Sequence, residues 1–327
     1  MKMTTGKGAA FMENKTAQIL TELRKAIIGK DDILIKVYMS ILAGGHVLIE
    51  DVPGVGKTTL ALAFSKALGL DFKRIQFTSD SVPSDITGFS VFDKSQNKFV
   101  YQKGAAMTNL LLADEINRTS SKTQSALLET MEENQITVDG VSHPLPSPFI
   151  VLATQNPVGS AGTQTLPPSQ MDRFMIKLEM GYPDFKSQVN ILKDRHNENP
   201  LDLIQTVSSS QDILDIQKNV QNIHIDDEIY EYVTRLAEYS RSLESVELGI
   251  SPRGALSVCR MAKAQAYVNG RDYVVPEDIR SVFCDVCAHR IVITQRAKLS
   301  GKNALSAALE TLNNTPVPQI GIKGRKL

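Results

Sequence analysis

Residues 47–60 read VLIEDVPGVGKTTL, and this stretch decides the fold. An apolar run at 47–49 predicts a buried strand, a loop with Gly54 and Gly56 follows, and a helical pattern opens at Thr58. In this order of strand, loop and helix, successive backbone N–H groups at a helix N-terminus can hold a phosphate. The stretch therefore predicts a phosphate-binding loop in an α/β protein.

The side chains of the loop fit a nucleotide bound with magnesium. Lys57 can reach the outer phosphates, and the hydroxyl of Thr58 can bind Mg²⁺. Asp51 stands where the pattern G-x-x-x-x-G-K-[ST] has its first glycine, but that position precedes the row of N–H groups, so we expect its side chain to lie outside the phosphate cradle. The alternative for the whole stretch is a glycine turn with a capping lysine. The predicted nucleotide-binding residues of the loop are Pro53, Gly54, Val55, Gly56, Lys57, Thr58 and Thr59.

A second apolar run, at 110–113, ends in Asp114 and Glu115. The carboxyl edge of a parallel sheet is where such folds bind ligands. Asp114 can hold the magnesium shell together with Thr58 or through water, and Glu115 can act as the general base that activates water. The alternative is that both carboxylates open a solvated loop.

Composition limits the class of protein. The 327 residues carry 36 basic and 36 acidic side chains, so the formal net charge is zero, which argues against a dedicated nucleic-acid binder. The N-terminal segment lacks the apolar core of a signal peptide, and no uncharged run is long enough to span a bilayer. We therefore expect a cytoplasmic protein without membrane insertion.

The cysteines include a CxxC pair, Cys284 and Cys287, with His289 nearby. A structural zinc site needs four ligands, and no second close pair is present. The pair lies in a helical pattern with apolar neighbours, so we interpret both residues as ordinary core cysteines.

The order of patterns predicts two domains. Apolar runs at 47–49, 75–77, 110–113, 150–153 and 175–178 alternate with helical patterns, as in a parallel α/β sheet. After residue 190 helical patterns dominate. We therefore predict an α/β nucleotide-binding domain at 1–190 and a helical domain at 191–327 that ends in a short basic tail. Two insertions interrupt the first domain, at about 80–104 and 135–146, and Asp139-Gly140 marks a hairpin in the second of them.

Taken together, these motifs resemble the AAA+ ATPases, and the MoxR family in particular, which is close to the magnesium-chelatase ATPase subunit. The resemblance is collinear from about residue 25 to about 310. It implies a P-loop AAA+ fold with a parallel five-stranded sheet, flanking helices and a smaller all-helical lid domain. The matching stretches are Gln76-Phe77-Thr78, PSDITG at 83–88, ADEINR at 113–118, ATQNP at 153–157, MDRF at 171–174 and SPRG at 251–254.

The resemblance also implies roles for residues that the patterns alone do not explain. Asn156 matches sensor 1, beside the terminal phosphate; the alternative is an Asn-Pro turn. Arg173 matches the arginine finger offered to a neighbouring subunit, with a surface arginine paired to Asp172 as the alternative. Arg118 is a further candidate for contact between subunits; its alternative is a salt bridge at a helix start.

Arg253 matches sensor 2 of the lid. Ser251 and Pro252 predict a helix N-cap and first position, so Arg253 places a cation near the positive end of a helix dipole, at a cost of about 0.3–1 kcal/mol that an anionic ligand would offset. The resemblance leaves open whether Arg253 serves its own nucleotide or a neighbour's. Ile28 and Gly29 are expected near the adenine.

The implied function is Mg-ATP hydrolysis that drives chaperone-like remodelling or maturation of a partner protein. The cofactors are ATP and Mg²⁺, and the implied assembly is a homo-oligomeric ring, expected to be a hexamer, whose pore the two insertions face. Partners would be a protein substrate and a von Willebrand-type protein. The alternatives are a magnesium-chelatase-like motor subunit, a DNA-acting AAA+ motor, against which the neutral charge counts, and a non-hydrolysing scaffold, against which Lys57, Asp114 and Glu115 count.

Overall fold

The computed structural model describes residues 5–52, 54–157, 164, 166–194 and 199–319. Contacts within the chain divide it into two compact units. The sheet unit consists of the described residues of 15–174 and 178–217, and the helical unit consists of 218–319 with 5–14 and 175–177. The domain boundary between 190 and 191 stays a prediction.

The described strands include every apolar run that the sequence marked as a strand. They are β1 Val47–Glu50, β2 Phe72–Gln76, β3 Gly88–Asp93, β4 Lys98–Lys103, β5 Leu110–Asp114, β6 Gln135–Val138, β7 Val141–Pro144, β8 Ile150–Gln155, β9 Ile176–Leu178, β10 Val246–Leu248 and β11 Val292–Ile293. Five of them form one sheet in the order β2-β5-β8-β1-β9. The pairs β2–β5, β5–β8 and β8–β1 run parallel, which confirms the predicted α/β sheet.

Helices flank this sheet and make up most of the helical unit. They are α1 Thr5–Ala26, α2 Asp31–Leu42, α3 Lys57–Leu68, α4 Pro83–Thr87, α5 Ser121–Glu133, α6 Pro168–Met171, α7 Phe185–Asp194, α8 Ser210–Gln221, α9 Asp227–Ser242, α10 Pro252–Val268, α11 Pro276–Cys287, α12 Gln295–Leu299 and α13 Ala304–Asn314. Helix α5 has a capping residue at each end. The Ser120 side chain accepts a hydrogen bond from the Thr123 N–H, and Asn134 ends the helix in the left-handed conformation.

The core of the sheet unit lies along β5 and β8. Every residue of both strands is buried, so neither strand alternates apolar and polar positions as a half-exposed strand would. Leu111 and Val151 pack with Leu127 and Leu128 of α5 in one cluster. Because the two strands are parallel and neighbours, their polar carboxyl ends meet at the same edge of the sheet.

Two hairpins project from the sheet unit at the predicted insertions. β3 pairs with β4, and β6 pairs with β7, both antiparallel. Asp139 and Gly140 connect β6 to β7 with φ of 51° and 78°, the two positive values that a type I′ turn requires. The rings of Tyr101 and His143 stack with their centroids 4.0 Å apart, which joins one hairpin to the other.

Among the described helices, none is long and apolar enough to cross a membrane.

Candidate active site

The loop between β1 and α3 has the backbone shape that the sequence predicts. Gly54 and Gly56 have φ of 89° and 97°, where side chains other than glycine are strained. A Cβ on either glycine would meet no atom within 4 Å, so conformation and not crowding demands glycine here. Helix α3 then begins at Lys57, with Thr58 and Thr59 half-buried in its first turn. Pro53 lies outside the described residues.

Lys57 is buried among carbonyl oxygens and acidic side chains. It is 8% exposed, and its Nζ donates to the carbonyl oxygens of Asp51, at 2.9 Å, and Val52, at 3.4 Å. Burial lowers the pKa of Lys57, while the negative charges of Asp114, Asp51 and Glu115 oppose that shift. The positive charge of Lys57 in the phosphate loop therefore interacts with the acidic pair, Asp114 and Glu115, at the end of β5.

Asp51 directs its buried side chain at backbone amides. Oδ1 accepts from the Val52 N–H at 2.8 Å, and Oδ2 accepts from the Gly181 N–H at 2.6 Å. Gly181 follows β9 in the chain, so the carboxylate fastens the exit of β1 to the segment that leads into α7. Asp51 thus stabilises the position of the loop from outside the row of N–H groups.

Asp114 ends β5 with both carboxylate oxygens engaged. Oδ1 accepts from Thr154 Oγ1 at 2.5 Å, and Oδ2 accepts from Arg74 Nη2 at 2.7 Å. Thr154 lies on β8 and Arg74 on β2, the two strands that flank β5. The sequence analysis identified neither partner. The polar Thr154 directly after the apolar run at 150–153 was a signal, but only strand order places Thr154 and Arg74 beside Asp114.

Glu115 follows in an unusual backbone conformation, with φ of 56°. Its N–H donates to Thr154 Oγ1 at 2.9 Å, so one hydroxyl joins both acidic residues. Oε1 accepts from Asn156 Nδ2 at 3.1 Å, and Oε2 accepts from Arg118 Nη1 at 2.9 Å. Positive φ at a side chain other than glycine stores strain and is frequent at functional sites. Here it turns Glu115 away from Asp114 and toward Asn156.

Asn156 is held at the end of β8 by a second asparagine that the sequence analysis missed. Asn117 Nδ2 donates to the Asn156 carbonyl at 3.0 Å, and its Oδ1 accepts from the Asn156 N–H at 3.3 Å. The Oδ1 atom of Asn156 is buried and has no hydrogen-bond partner among the described residues. A buried polar atom without a partner is costly unless a ligand or water satisfies it. The Oδ1 atom of Asn156 is therefore an unused acceptor for a polar group of a ligand or water beside Glu115.

The oxygen atoms of this site fit a magnesium ion that arrives with a nucleotide. In the described part of the chain, no group of three or more His, Cys, Asp or Glu side chains could hold a metal by itself. Mg²⁺ is commonly held by one or two carboxylates together with substrate phosphates. The Thr58 hydroxyl and the Asp114 carboxylate are oxygen groups of the kind that would hold such an ion.

The arginines assigned by resemblance have partners within their own units. Arg173 Nε lies 3.1 Å from Glu132 at the end of α5, whereas the alternative interpretation paired it with Asp172. Arg118 follows Glu115 in a short 3₁₀ helix and forms the ion pair already described. Both side chains keep substantial exposure, 28% and 47%.

Arg253 lies in the helical unit, where the predicted helix start is confirmed. Ser251 is the N-cap of α10, its side chain accepts from the Gly254 N–H at 3.0 Å, and Pro252 is the first residue. Arg253 is exposed in the first turn. Gly254 is required because a Cβ there would meet Cδ of the buried Arg290 at 2.9 Å.

Ile28 and Gly29 lie in the loop between α1 and α2. Gly29 has φ of 71°, and a Cβ would meet Ser187 Oγ at 2.1 Å, so this loop packs closely on the first turn of α7. Their role beside an adenine stays a prediction.

The cysteines of the CxxC pair lie on α11, where Cys287 is buried and Cys284 is half-buried.

Comparisons with known proteins found matching family models, similar chains and a similar structure. Residues 46–176 match the ATPase family associated with various cellular activities (AAA), and residues 238–311 match the AAA lid domain. The uncharacterized protein YeaC of Bacillus subtilis is 45% identical over 296 residues, which are 90% of this chain and 92% of that protein. Chaperone MoxR1 of Mycobacterium tuberculosis is 36% identical over 326 residues, 96% of this chain and 85% of that protein. The crystal structure of a candidate ATPase from Cytophaga hutchinsonii superimposes with a TM-score of 0.88 at 35% identity, covering 96% of this chain and 98% of that one.

Proposed function

Since the chain belongs to the MoxR family of AAA+ ATPases, we propose that it couples hydrolysis of magnesium-bound ATP to chaperone-like remodelling or maturation of a partner protein. That it is an ATPase follows from the family. The observation that supports magnesium-dependent hydrolysis at this site is the cluster of Asp114, Glu115 and Asn156 beside the phosphate loop. Thr154 holds the Asp114 carboxylate, which would bind the metal. The Glu115 carboxylate is turned away from Asp114 and accepts from the Asn156 amide.

Each side chain has a distinct task in the proposed reaction. Lys57 compensates the charge of the outer phosphates, and Thr58 and Asp114 hold the magnesium ion. When bound, the ion neutralises charge on the phosphate oxygens. Glu115 takes a proton from the attacking water; its hydrogen bonds to Asn156 and Arg118 fix the carboxylate, and each oxygen retains a lone pair for that water.

The two hairpins support a role in contacting the partner. The β3–β4 hairpin exposes three aromatic rings: Phe89 is 54% exposed, Phe92 46% and Phe99 72%. Exposed apolar groups gathered on one projecting element are typical of interaction sites. We propose that a client protein contacts the two hairpins, that the chains assemble into a hexameric ring, and that a von Willebrand-type protein assists as an additional partner.

Capture with a hydrolysis-deficient variant tests the remodelling proposal. With ATP present, tagged Glu115→Gln chain should retain a partner from its native host, whereas Lys57→Ala should not, because its site stays empty. Adding an excess of wild-type chain and ATP should then change the folding or activity of the purified partner. Binding of the same partner by both variants alike, or an unchanged partner after turnover, would contradict the proposal.

Asp51→Gly tests the role of the residue that replaces the first loop glycine. We expect ATP affinity within a few-fold of wild type, because the carboxylate faces Val52 and Gly181 and not the cradle. Stability should fall, since each hydrogen bond to a charged group contributes about 1.5–3 kcal/mol. Titration calorimetry and thermal melting measure the two effects separately. In Asp51→Asn, which keeps an acceptor oxygen, the melting temperature should fall less. A large loss of affinity without loss of stability would show that Asp51 contacts the nucleotide.

A further inference from the structure

Arg74 is a charged residue beside the active site that the proposed reaction does not use. Its Nη2 atom donates to Asp114 Oδ2 and to Gln76 Oε1, each at 2.7 Å. Gln76 lies opposite Asp114 in the parallel pairing of β2 with β5, so these three side chains meet at the carboxyl edge of the sheet. Arg74 thereby reaches the site from the edge strand of the sheet.

The hydrogen bond from Arg74 restricts the orientation of the Asp114 carboxylate. The side chain of Asp114 is only 11% exposed, whereas that of Arg74 is 45% exposed. A carboxylate oxygen can accept two hydrogen bonds. Thr154 takes one position on Oδ1 and Arg74 takes one on Oδ2, which prevents rotation of the carboxylate and leaves one position on each oxygen.

We propose that Arg74 is a positioning residue of the ATPase site, which fixes the Asp114 carboxylate and compensates its charge so that magnesium is held in one orientation and not too tightly. The inference rests on the proposed function, in which Asp114 holds magnesium. Without Arg74, the Asp114 carboxylate would keep its full negative charge and could rotate. It would attract the ion more strongly but would no longer present a fixed oxygen to it.

Arg74→Ala separates these effects. The half-saturating Mg²⁺ concentration for binding of a fluorescent ADP should fall by at least a few-fold, because a cation has been removed beside a dication site. The kcat for ATP should fall about 10- to 100-fold, the usual effect of losing a side chain that orients a metal ligand. Tighter metal binding with slower turnover is a combination that general damage to the site does not produce.

Two variants provide matched controls. Lys73→Ala removes one positive charge from the neighbouring position of β2, where Lys73 Nζ donates to the Gly104 carbonyl, and should leave both quantities unchanged. Arg74→Lys keeps the charge but lacks the planar guanidinium, whose Nη2 donates to both Asp114 and Gln76, so it should restore the magnesium requirement more fully than kcat.

The outcomes decide between the possibilities. An unchanged or higher magnesium requirement in Arg74→Ala, or an unchanged kcat, overturns the proposal. If thermal melting shows that Arg74→Ala is unfolded, Gln76→Ala and Arg74→Lys replace it, and a wild-type requirement and kcat in both variants overturns the proposal equally. Failure of the proposed function looks different: Glu115→Gln would then hydrolyse ATP like the wild type, while the ADP titration would still report on Arg74.

Discussion

Replacing Glu115 by glutamine should slow ATP hydrolysis about 100- to 10,000-fold, the usual loss when a general base is removed. Nucleotide affinity should stay within a few-fold of wild type. The amide keeps the shape of the side chain and an oxygen that can accept from Asn156, but it cannot take a proton from water. Steady-state phosphate release and nucleotide titration measure the two quantities in one preparation.

A matched substitution controls for the chemical change. Glu228 is exposed in the first turn of α9, in the helical unit, and Glu228→Gln should hydrolyse ATP at the wild-type rate. Should Glu115→Gln retain the wild-type rate as well, Glu115 is not the base. A loss of nucleotide affinity in step with the rate would instead indicate that the variant site is misfolded.

Arg173→Ala should bind ATP normally and hydrolyse it about 1,000- to 100,000-fold more slowly, the range in which an arginine offered to the transferred phosphate acts. The reason is that, in the proposed ring, each site is completed by Arg173 of a neighbouring chain. Lys57→Ala should fail differently, because its own pocket is empty while its Arg173 is intact. Mixed together, the two inactive variants should regain activity, with a maximum at an intermediate ratio.

The ion pair of Arg173 with Glu132 supplies the matched control. Both side chains are partly exposed, and a pair of this kind contributes about 0–1 kcal/mol to stability. Glu132→Gln removes the ion pair and keeps the arginine, so it should remain active. If hybrid assemblies form, as shown by recovery of one variant through a tag on the other, and remain inactive, Arg173 is not the shared residue. Arg118 would then be the next candidate.

The central sheet was predictable because burial dictates its sequence. Parallel strands covered on both faces read as continuous apolar runs, and all five runs became strands of the sheet. The β6–β7 turn was also predictable from the sequence, since Asp139-Gly140 is a pair that tolerates two positive φ values. The shape of the phosphate loop followed from Gly54 and Gly56 for the same local reason.

The hydrogen-bond partners of Asp114 and Glu115 could not be predicted from the sequence. Thr154 and Arg74 lie 40 residues from Asp114 in opposite directions, and only the strand order β2-β5-β8 makes them neighbours. A hydrogen bond from Asn117 to Asn156 likewise spans 39 residues. Such contacts depend on register, which local patterns do not specify.

The ion-pair partner of Arg173 also could not be predicted from the sequence. As the alternative to the arginine finger, the sequence offered Asp172 as its ion-pair partner, whereas the structure brings the end of α5 next to Arg173 and pairs it with Glu132. Adjacent residues seldom face one another, and a partner from another element is decided by packing.

A structure of Glu115→Gln with Mg-ATP tests the central claim most directly. We predict the triphosphate on the backbone amides of residues 54–58, the magnesium ion held by Thr58 and Asp114, and Asn156 facing the terminal phosphate. Nucleotide bound away from this loop, or magnesium held without Thr58 and Asp114, would contradict the proposed site.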